Sequence, residues 1–390
     1  MKPKTLIILL ILAVLFIGLA YYSARKQKPF PPAVIGVKIL PNLPVNRVSK
    51  IVITSKNGTT TVAKSKEKWV VASRFNYPAN FDKVADTIRK LSELKIGQTV
   101  SATPAQLDDF NLVSPVSSGT NKPANAGTLL ELRDEKDGFL ASLLVGKGFM
   151  RQPETPSMEN MTGFGDYSNG QYVQSVDGRV YLVSQSLARM AEDAKTWLAD
   201  DFIHAPSTDI KEITVSGPDR APIKLARAKD GDSFTLADLR PEEGTIDSAK
   251  ISQITGALNR LGFDDIADPA LTLKETGLDR PIVFKAATKD GLIYTLQIGN
   301  TLTNDTFDRY LTISVTNEPP VDQQAAGKEG EQATEKKNAS EQAAALNGTF
   351  GSWIYIIKSY RAEPILLARG DLIKKTEPTK TEDSSKKKSE

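Results

Sequence analysis

The sequence predicts an α+β protein of two tandem repeats, each a mixed or antiparallel sheet with one principal packed helix, behind an N-terminal transmembrane helix. Three observations carry that expectation. Residues from about 48 to 203 and from about 208 to 373 follow one plan, visible as internal similarity before any motif is sought. Short alternating apolar runs bounded by Gly, Asn and Asp recur in both halves and read as strands and hairpins. Each half also holds a stretch whose apolar residues recur at helical spacing. A chain of 390 residues exceeds the usual size of one core, and the repeat divides it into two domains of ordinary size.

Thr5 to Tyr22 carries no charge and as a helix would span ~27 Å, close to the hydrocarbon thickness of a bilayer. Lys2 and Lys4 precede it, and Arg25, Lys26 and Lys28 follow. Residues 1–28 therefore read as a membrane anchor with flanking basic residues. A cleaved secretory signal is the alternative, with Gly18-Leu19-Ala20 as the small-residue site. Residues 29–47 contain Pro29, Pro31, Pro32, Pro41 and Pro44 and read as an extended stalk.

The first α+β repeat is expected at 48–206. It opens with Ile51 to Ser55, the Asn57-Gly58 turn signal, Thr59 to Ala63 and a third strand from Lys68 to Ala72 that carries Trp69. Phe81, Val84, Ile88, Leu91 and Leu94 mark one helix face, with Asp82 near its start. Leu129 to Leu132 and Leu140 to Val145 flank a turn at Asp134 to Gly138, and Leu187 to Leu198 reads as a further helix.

The second repeat is expected at 207–373, with a mobile insertion at 318–348, followed by a disordered polar tail at 374–390. Phe234 stands where Trp69 does, and Ile246, Ile251, Ile254, Leu258 and Leu261 mark the helix, with Asp247 at its start and Gly262 as its stop. The two copies share a turn: Leu107 to Leu112 to Pro115 in one keeps the spacing of Leu273 to Leu278 to Pro281 in the other. Asn111 stands where the second copy has Gly277, and both residues tolerate a left-handed backbone. A strand ending in Val145-Gly146-Lys147 or Ile298-Gly299-Asn300 follows in each.

Chemistry is sparse by comparison. The formal charge of +3 is small for this length and the signs are interleaved, which argues against nucleic-acid binding. Cysteine is absent, excluding disulfides and thiolate sites, and His204 is the single histidine, excluding a multi-histidine metal site. His204 reads as a linker residue, because a base needs a nucleophile or an orienting partner. Asp108-Asp109, Asp200-Asp201 and Asp264-Asp265 read as caps and solvated turns, since adjacent side chains point apart. Gly146-Lys147-Gly148 and Gly163-Phe164-Gly165 lack the strand-to-helix setting of a phosphate cradle and read as turns. The Met- and aromatic-rich tract from Phe149 to Tyr172 reads as a loop packed on its own domain. No catalytic residue, cofactor-binding residue or metal ligand is predicted, and no cofactor.

The N-terminal anchor, the strand Lys66-Glu67-Lys68-Trp69-Val70-Val71 with its following helix, the turn Gly277-Leu278-Asp279-Arg280-Pro281, and the Ile298-Gly299 and Val180-Tyr181-Leu182-Val183 strands resemble a bacterial envelope family. That family carries a domain of unknown function and is encoded beside gliding-motility-type ABC transporter permeases and auxiliary proteins. The resemblance implies a non-enzymatic, membrane-anchored, extracytoplasmic accessory or binding module of an ABC-type transport complex. Its implied partners are the lipid bilayer, through the N-terminal helix, and an ABC transporter permease or auxiliary membrane protein. The implied localisation is the bacterial inner membrane, single-pass, with the body in the periplasm. An independent envelope scaffold and, more distantly, an envelope hydrolase are the alternatives.

Overall fold

The structure is a computed structural model that describes residues 35–116, 123–149, 170–191, 193–229, 231–302, 307–317 and 329–374, the side chains of 191 and 329–338 excepted. The anchor expected at 1–28, the insertion residues 318–328 and the tail beyond 374 lie outside the described residues. The localisation drawn from the anchor is corrected: among the described residues no helix is long and apolar enough to cross a membrane, so the single-pass inner-membrane placement has no support in the structure.

In the first repeat the elements are β1 (Lys50–Ser55), β2 (Gly58–Ser65), β3 (Lys68–Val71), β4 (Tyr77–Pro78), α1 (Phe81–Glu93), β5 (Gln98–Val100), α2 (Pro104–Asp109), β6 (Thr128–Arg133), β7 (Phe139–Phe149), β8 (Gly170–Ser175) and β9 (Val180–Val183). The second repeat runs β10 (Ile210–Ser216), β11 (Ile223–Ala226), β12 (Thr235–Leu236), β13 (Thr245–Ile246), α3 (Ser248–Thr255), β14 (Asp265–Ile266), α4 (Leu273–Thr276), β15 (Ile282–Thr288), β16 (Leu292–Thr301) and β17 (Arg309–Asn317). It ends with α5 (Glu329–Phe350), β18 (Tyr355–Ile357), α6 (Ser359–Leu366) and β19 (Ile373–Lys374).

The chain divides into two compact units that do not coincide with the two repeats. One holds the residues up to Lys64 together with Asp82–Asp193; the other holds Ser65–Phe81 and the residues from Ala194 onward. In the first unit the strand order is β2-β1-β6-β7-β8-β9-β5, and in the second it is β12-β11-β10-β15-β16-β17-β18-β14. Taken strand by strand, from β2-β1 and from β11-β10, these are the same order, and the paired strands are antiparallel. Trp69 lies in β3 and Phe234 immediately before β12, the third strand of each repeat.

The matched turn is built alike in both copies. Thr103 and Gln106 close a capping box at the start of α2, as Thr272 and Glu275 do at α4. Asn111 and Gly277 then take left-handed conformations with φ of 53° and 70°. The Leu112 amide donates to the Leu107 carbonyl at 2.8 Å, and the Leu278 amide to the Leu273 carbonyl at 2.8 Å. Both leucines are buried. Leu112 enters the first unit's core against Leu144 and Val180. Gly146 and Gly299 sit at β-bulges, where the register shifts between Val145 and Gly148 and between Ile298 and Thr301. A Cβ at Gly146 would strike the Phe110 carbonyl oxygen, and one at Gly299 the Thr276 carbonyl oxygen. Glycine is needed there because another backbone passes too close.

Four expectations change. Helix α3 ends at Thr255, not at Gly262, because the chain leaves helical geometry at Gly256; Leu258 and Leu261 are buried from the irregular turns that follow. Leu187 to Leu198 forms two short 3₁₀ turns, Ala188–Ala191 and Ala194–Trp197, where the chain passes from one unit to the other. From Glu329 the expected mobile insertion is helix α5, rich in the helix formers Ala, Glu, Gln and Lys. Its Ala339, Ala343 and Phe350 are buried. Residues 36–39, expected within the stalk, pair with 94–96: the Gly36 amide donates to the Ile96 carbonyl at 2.8 Å, and Ile39 to Leu94 at 2.8 Å.

Candidate functional site

The second unit gathers Phe202, Phe263, Trp353 and Tyr355 into one aromatic cluster with Tyr77. Tyr77 of β4 is 2% exposed. Its ring meets Phe263, Trp353 and Tyr355 edge-on, with centroids 5.4, 5.0 and 6.2 Å away, the geometry that the aromatic quadrupole favours. Phe202 closes the cluster against Phe263 at 5.1 Å and Tyr355 at 5.0 Å. The Tyr355 hydroxyl donates to the Phe350 carbonyl at 3.2 Å and is hydrogen-bonded to Tyr77. Burial pushes the Tyr77 phenol up to about 12 and raises that of Tyr355 further. Both rings therefore stay neutral over the physiological range.

Arg74 lies three residues before Tyr77 and pairs with Asp265 of β14 at 2.8 Å. Between these anchors Phe75 and Asn76 both adopt left-handed backbone, with φ of 56° and 63°, conformations that cost bulky residues free energy. Phe75 remains 38% exposed and lines a cavity of about 280 Å³ together with Ile266, Leu271, Tyr310 and Ile356. The Arg74–Asp265 pair and Asp268 supply its polar margin. These walls come from β14, β17, β18, the approach to α4 and the Ser65–Phe81 segment, so the residues meet only in the fold.

A second charged group lies in the same unit. The Lys358 ammonium contacts Asp308 at 2.7 Å and Asp264 at 3.5 Å, and Lys195 reaches Asp264 at 3.0 Å. Asp308 is buried. The Asp308 hydrogen bond holds the Lys358 ammonium above its ordinary value. Burial alone would raise Asp264, but hydrogen bonds and charges from Lys195 and Lys358 prevail and lower it. Opposite charges close together account for both directions, and the arrangement ties three parts of the unit together.

Asp264-Asp265, expected as a solvated turn, is thus a pair of half-buried ion-pair partners whose side chains serve different cations. Asp200 accepts from the Asn80 amide group at 3.1 Å, whereas Asp201, Asp108 and Asp109 are exposed. His204 is exposed on the linker. Gly146-Lys147-Gly148 lies inside β7 at its bulge. Gly163-Phe164-Gly165 and residues 150–169 of the aromatic tract lie outside the described residues; Tyr172, at its end, stacks on Phe110 at 4.2 Å. Among the described residues no three of His, Asp and Glu group as a metal site. Sequence reasoning did not single out Phe75, Leu271 or Tyr310. Their only local signal is Arg74-Phe75-Asn76, an apolar residue between polar ones, which by itself predicts a turn.

The model of the DUF4340 domain of unknown function matches residues 69–153 and 162–281, together more than half of the chain. The chain belongs to the DUF4340 family. No curated protein and no solved structure matches it. The DUF4340 match takes in β3, with Trp69, the whole turn of the first copy and the turn of the second copy as far as Pro281. It also contains Arg74, Phe75 and Tyr77 and the Asp265 to Leu271 wall of the cavity, but not Tyr310 or Ile356.

Proposed function

We propose that this DUF4340 protein is a binding module of an ABC-type transport complex and acts through protein contacts, not turnover. The observation that carries this reading is the part-exposed Phe75 at an apolar cavity, held between the Arg74 ion pair and the buried Tyr77. An apolar side chain presented on a firmly anchored segment is what a contact surface requires, because exposed aromatic anchors dominate recognition energy. The resemblance to proteins encoded beside ABC permeases gives the partner class. Asp265 and Asp308 are engaged in ion pairs with Arg74 and Lys358. Reciprocal co-purification tests the proposal: the tagged protein should retain the neighbouring-gene permease or auxiliary protein from detergent-solubilised cells, and each of those, tagged, should retain it. If purified components fail to associate in both directions, the reading is wrong.

A further inference from the structure

Resting on the reading that the protein works by contact, we infer that the Phe75 cavity takes one aliphatic or aromatic side chain from an extended partner segment, flanked on that segment by lysine or arginine. Size sets the first part. At about 280 Å³ the cavity lies at the lower end of the ~300–1,000 Å³ range of small-ligand sites, and a single apolar side chain needs only a recess of this order. Phe75, Ile266, Leu271, Tyr310 and Ile356 give that recess apolar walls.

Charge sets the second part. Arg74 and Asp265 neutralise one another at 2.8 Å. Asp268 is exposed and accepts from the Ala270 amide at 2.8 Å, and no ion pair to it is present among the described residues. One carboxylate therefore remains available beside the recess, and a basic residue next to the inserted side chain complements it.

The backbone excludes simple strand addition at this point. β14 is the last strand of the second unit's sheet, where an open edge would ordinarily recruit a partner strand. However, the Asp265 carboxylate accepts from the neighbouring Ile266 amide at 2.9 Å, which withdraws that donor. Recognition therefore falls to side chains. The left-handed Phe75 and Asn76 are retained because Arg74 and Tyr77 fix the chain on either side, and strained backbone of this kind concentrates where a side chain must be presented.

The test uses the full chain and three capped pentapeptides: leucine between two lysines, leucine between two glutamates, and glycine between two lysines, all ending in glycine. Binding is followed by fluorescence anisotropy at low ionic strength. The first peptide should bind saturably and the others at least roughly fivefold more weakly. Phe75→Ala should weaken the first by roughly tenfold while leaving thermal unfolding near that of the unaltered chain. Asp268→Lys should invert the preference between lysine and glutamate peptides, a change that general loosening of the fold does not produce. Equal binding of the two charged peptides, a preference that survives Asp268→Lys, or no saturable binding would overturn the inference. Permease association separates the two proposals. If it persists in the Phe75→Ala, Asp268→Lys double variant, the contact function stands and this cavity is dismissed; if the unaltered chain shows none, the function itself fails.

Discussion

The strand that precedes the principal helix has different partners in the two repeats. In the first repeat β4 carries Tyr77 into the aromatic cluster of the second unit. In the second, β13 occupies the corresponding place and pairs with β19, Ile246 opposite Ile373. The turn after the helix shows the opposite behaviour: its caps, left-handed residue, buried leucine and bulge glycine persist in both copies. Local hydrogen bonds and close backbone approach dictate the turn, so few sequences can build it. The β4 and β13 positions answer to distant partners, and duplication left those free to diverge.

Replacing Tyr77 should break this comparison most severely. Tyr77→Ala removes a fully buried ring and should destabilise the protein by ~4 kcal/mol, while Ile246→Ala, at a half-buried position, should cost ~1 kcal/mol. Urea unfolding followed by tryptophan fluorescence, with Trp353 in direct contact with Tyr77, reads both. Similar losses would show that β4 and β13 are equivalent after all.

Glycine substitution at the bulges probes what the copies kept. Gly146→Ala and Gly299→Ala each drive a methyl into a backbone carbonyl and should each cost ~3 kcal/mol, the upper range for overpacking. The two should agree within about 1 kcal/mol, measured by denaturant midpoint at constant slope. A mild effect in one copy alone would mean that its bulge relaxes.

Alkaline titration should probe the aromatic cluster without mutation. Burial raises the Tyr77 phenol from its ordinary 10.0 to about 12, so the neutral phenol is favoured in the fold. Its contribution is complete below pH 10 and is lost as pH rises towards 12, by about 2–3 kcal/mol in total. Tyr355 is shifted in the same direction. Melting temperature should therefore fall between pH 10 and 12, and Tyr77→Phe should reduce that fall.

The strands next to the edge, β9 and β18, supply a further contrast. β9 pairs with β8 along Gln171 to Gln174, whereas along β17 the pairing with β18 is confined to Arg309 to Leu311. Farther along β17, Asn347 of α5 replaces a strand: its amide oxygen accepts from the Val315 amide at 2.8 Å and its amide nitrogen donates to the Val315 carbonyl. Asn347→Ala should cost about 1–2 kcal/mol, with faster hydrogen exchange at Val315, because both backbone groups lose their partner.

Legibility of the sequence follows the range of the interactions. The turns from Leu107 to Leu112 and from Leu273 to Leu278 were legible because a left-handed residue acts over a few positions, whereas their caps at Thr103 and Thr272 were not read; the matching strand orders followed from the repeat. The early end of α3 and the helicity of α5 from Glu329 were not. Gly256 is an ordinary small residue until the chain turns there, and a polar, alanine-containing segment fits both a helix and a loop. The pairing of Gly36 and Ile39 with residues 94–96 was masked by nearby prolines that suggested an extended stalk. The cavity was least visible, since Phe75, Leu271, Tyr310 and Ile356 lie on separate elements with no shared period.

The smallest expected effect also gives the sharpest test of likeness. Thr103→Ala and Thr272→Ala each remove an N-cap hydroxyl, from Gln106 at 3.4 Å and from Glu275 at 3.2 Å, and should each cost ~1 kcal/mol. Both caps close a box, because the third residue reaches back to the threonine amide at 2.9 Å in one copy and 2.8 Å in the other. The acceptor is neutral in the first copy and ionised in the second. Glu275, held below its ordinary value by the Thr272 backbone and side-chain hydrogen bonds, should lose its part as pH falls below that range, whereas Gln106 should not. Thermal unfolding at pH 7 and pH 3 should therefore show a Thr272→Ala penalty that shrinks in acid and a Thr103→Ala penalty that does not. Equal shrinkage in both would trace the acid effect to the rest of the fold instead of to the one residue by which the two boxes differ.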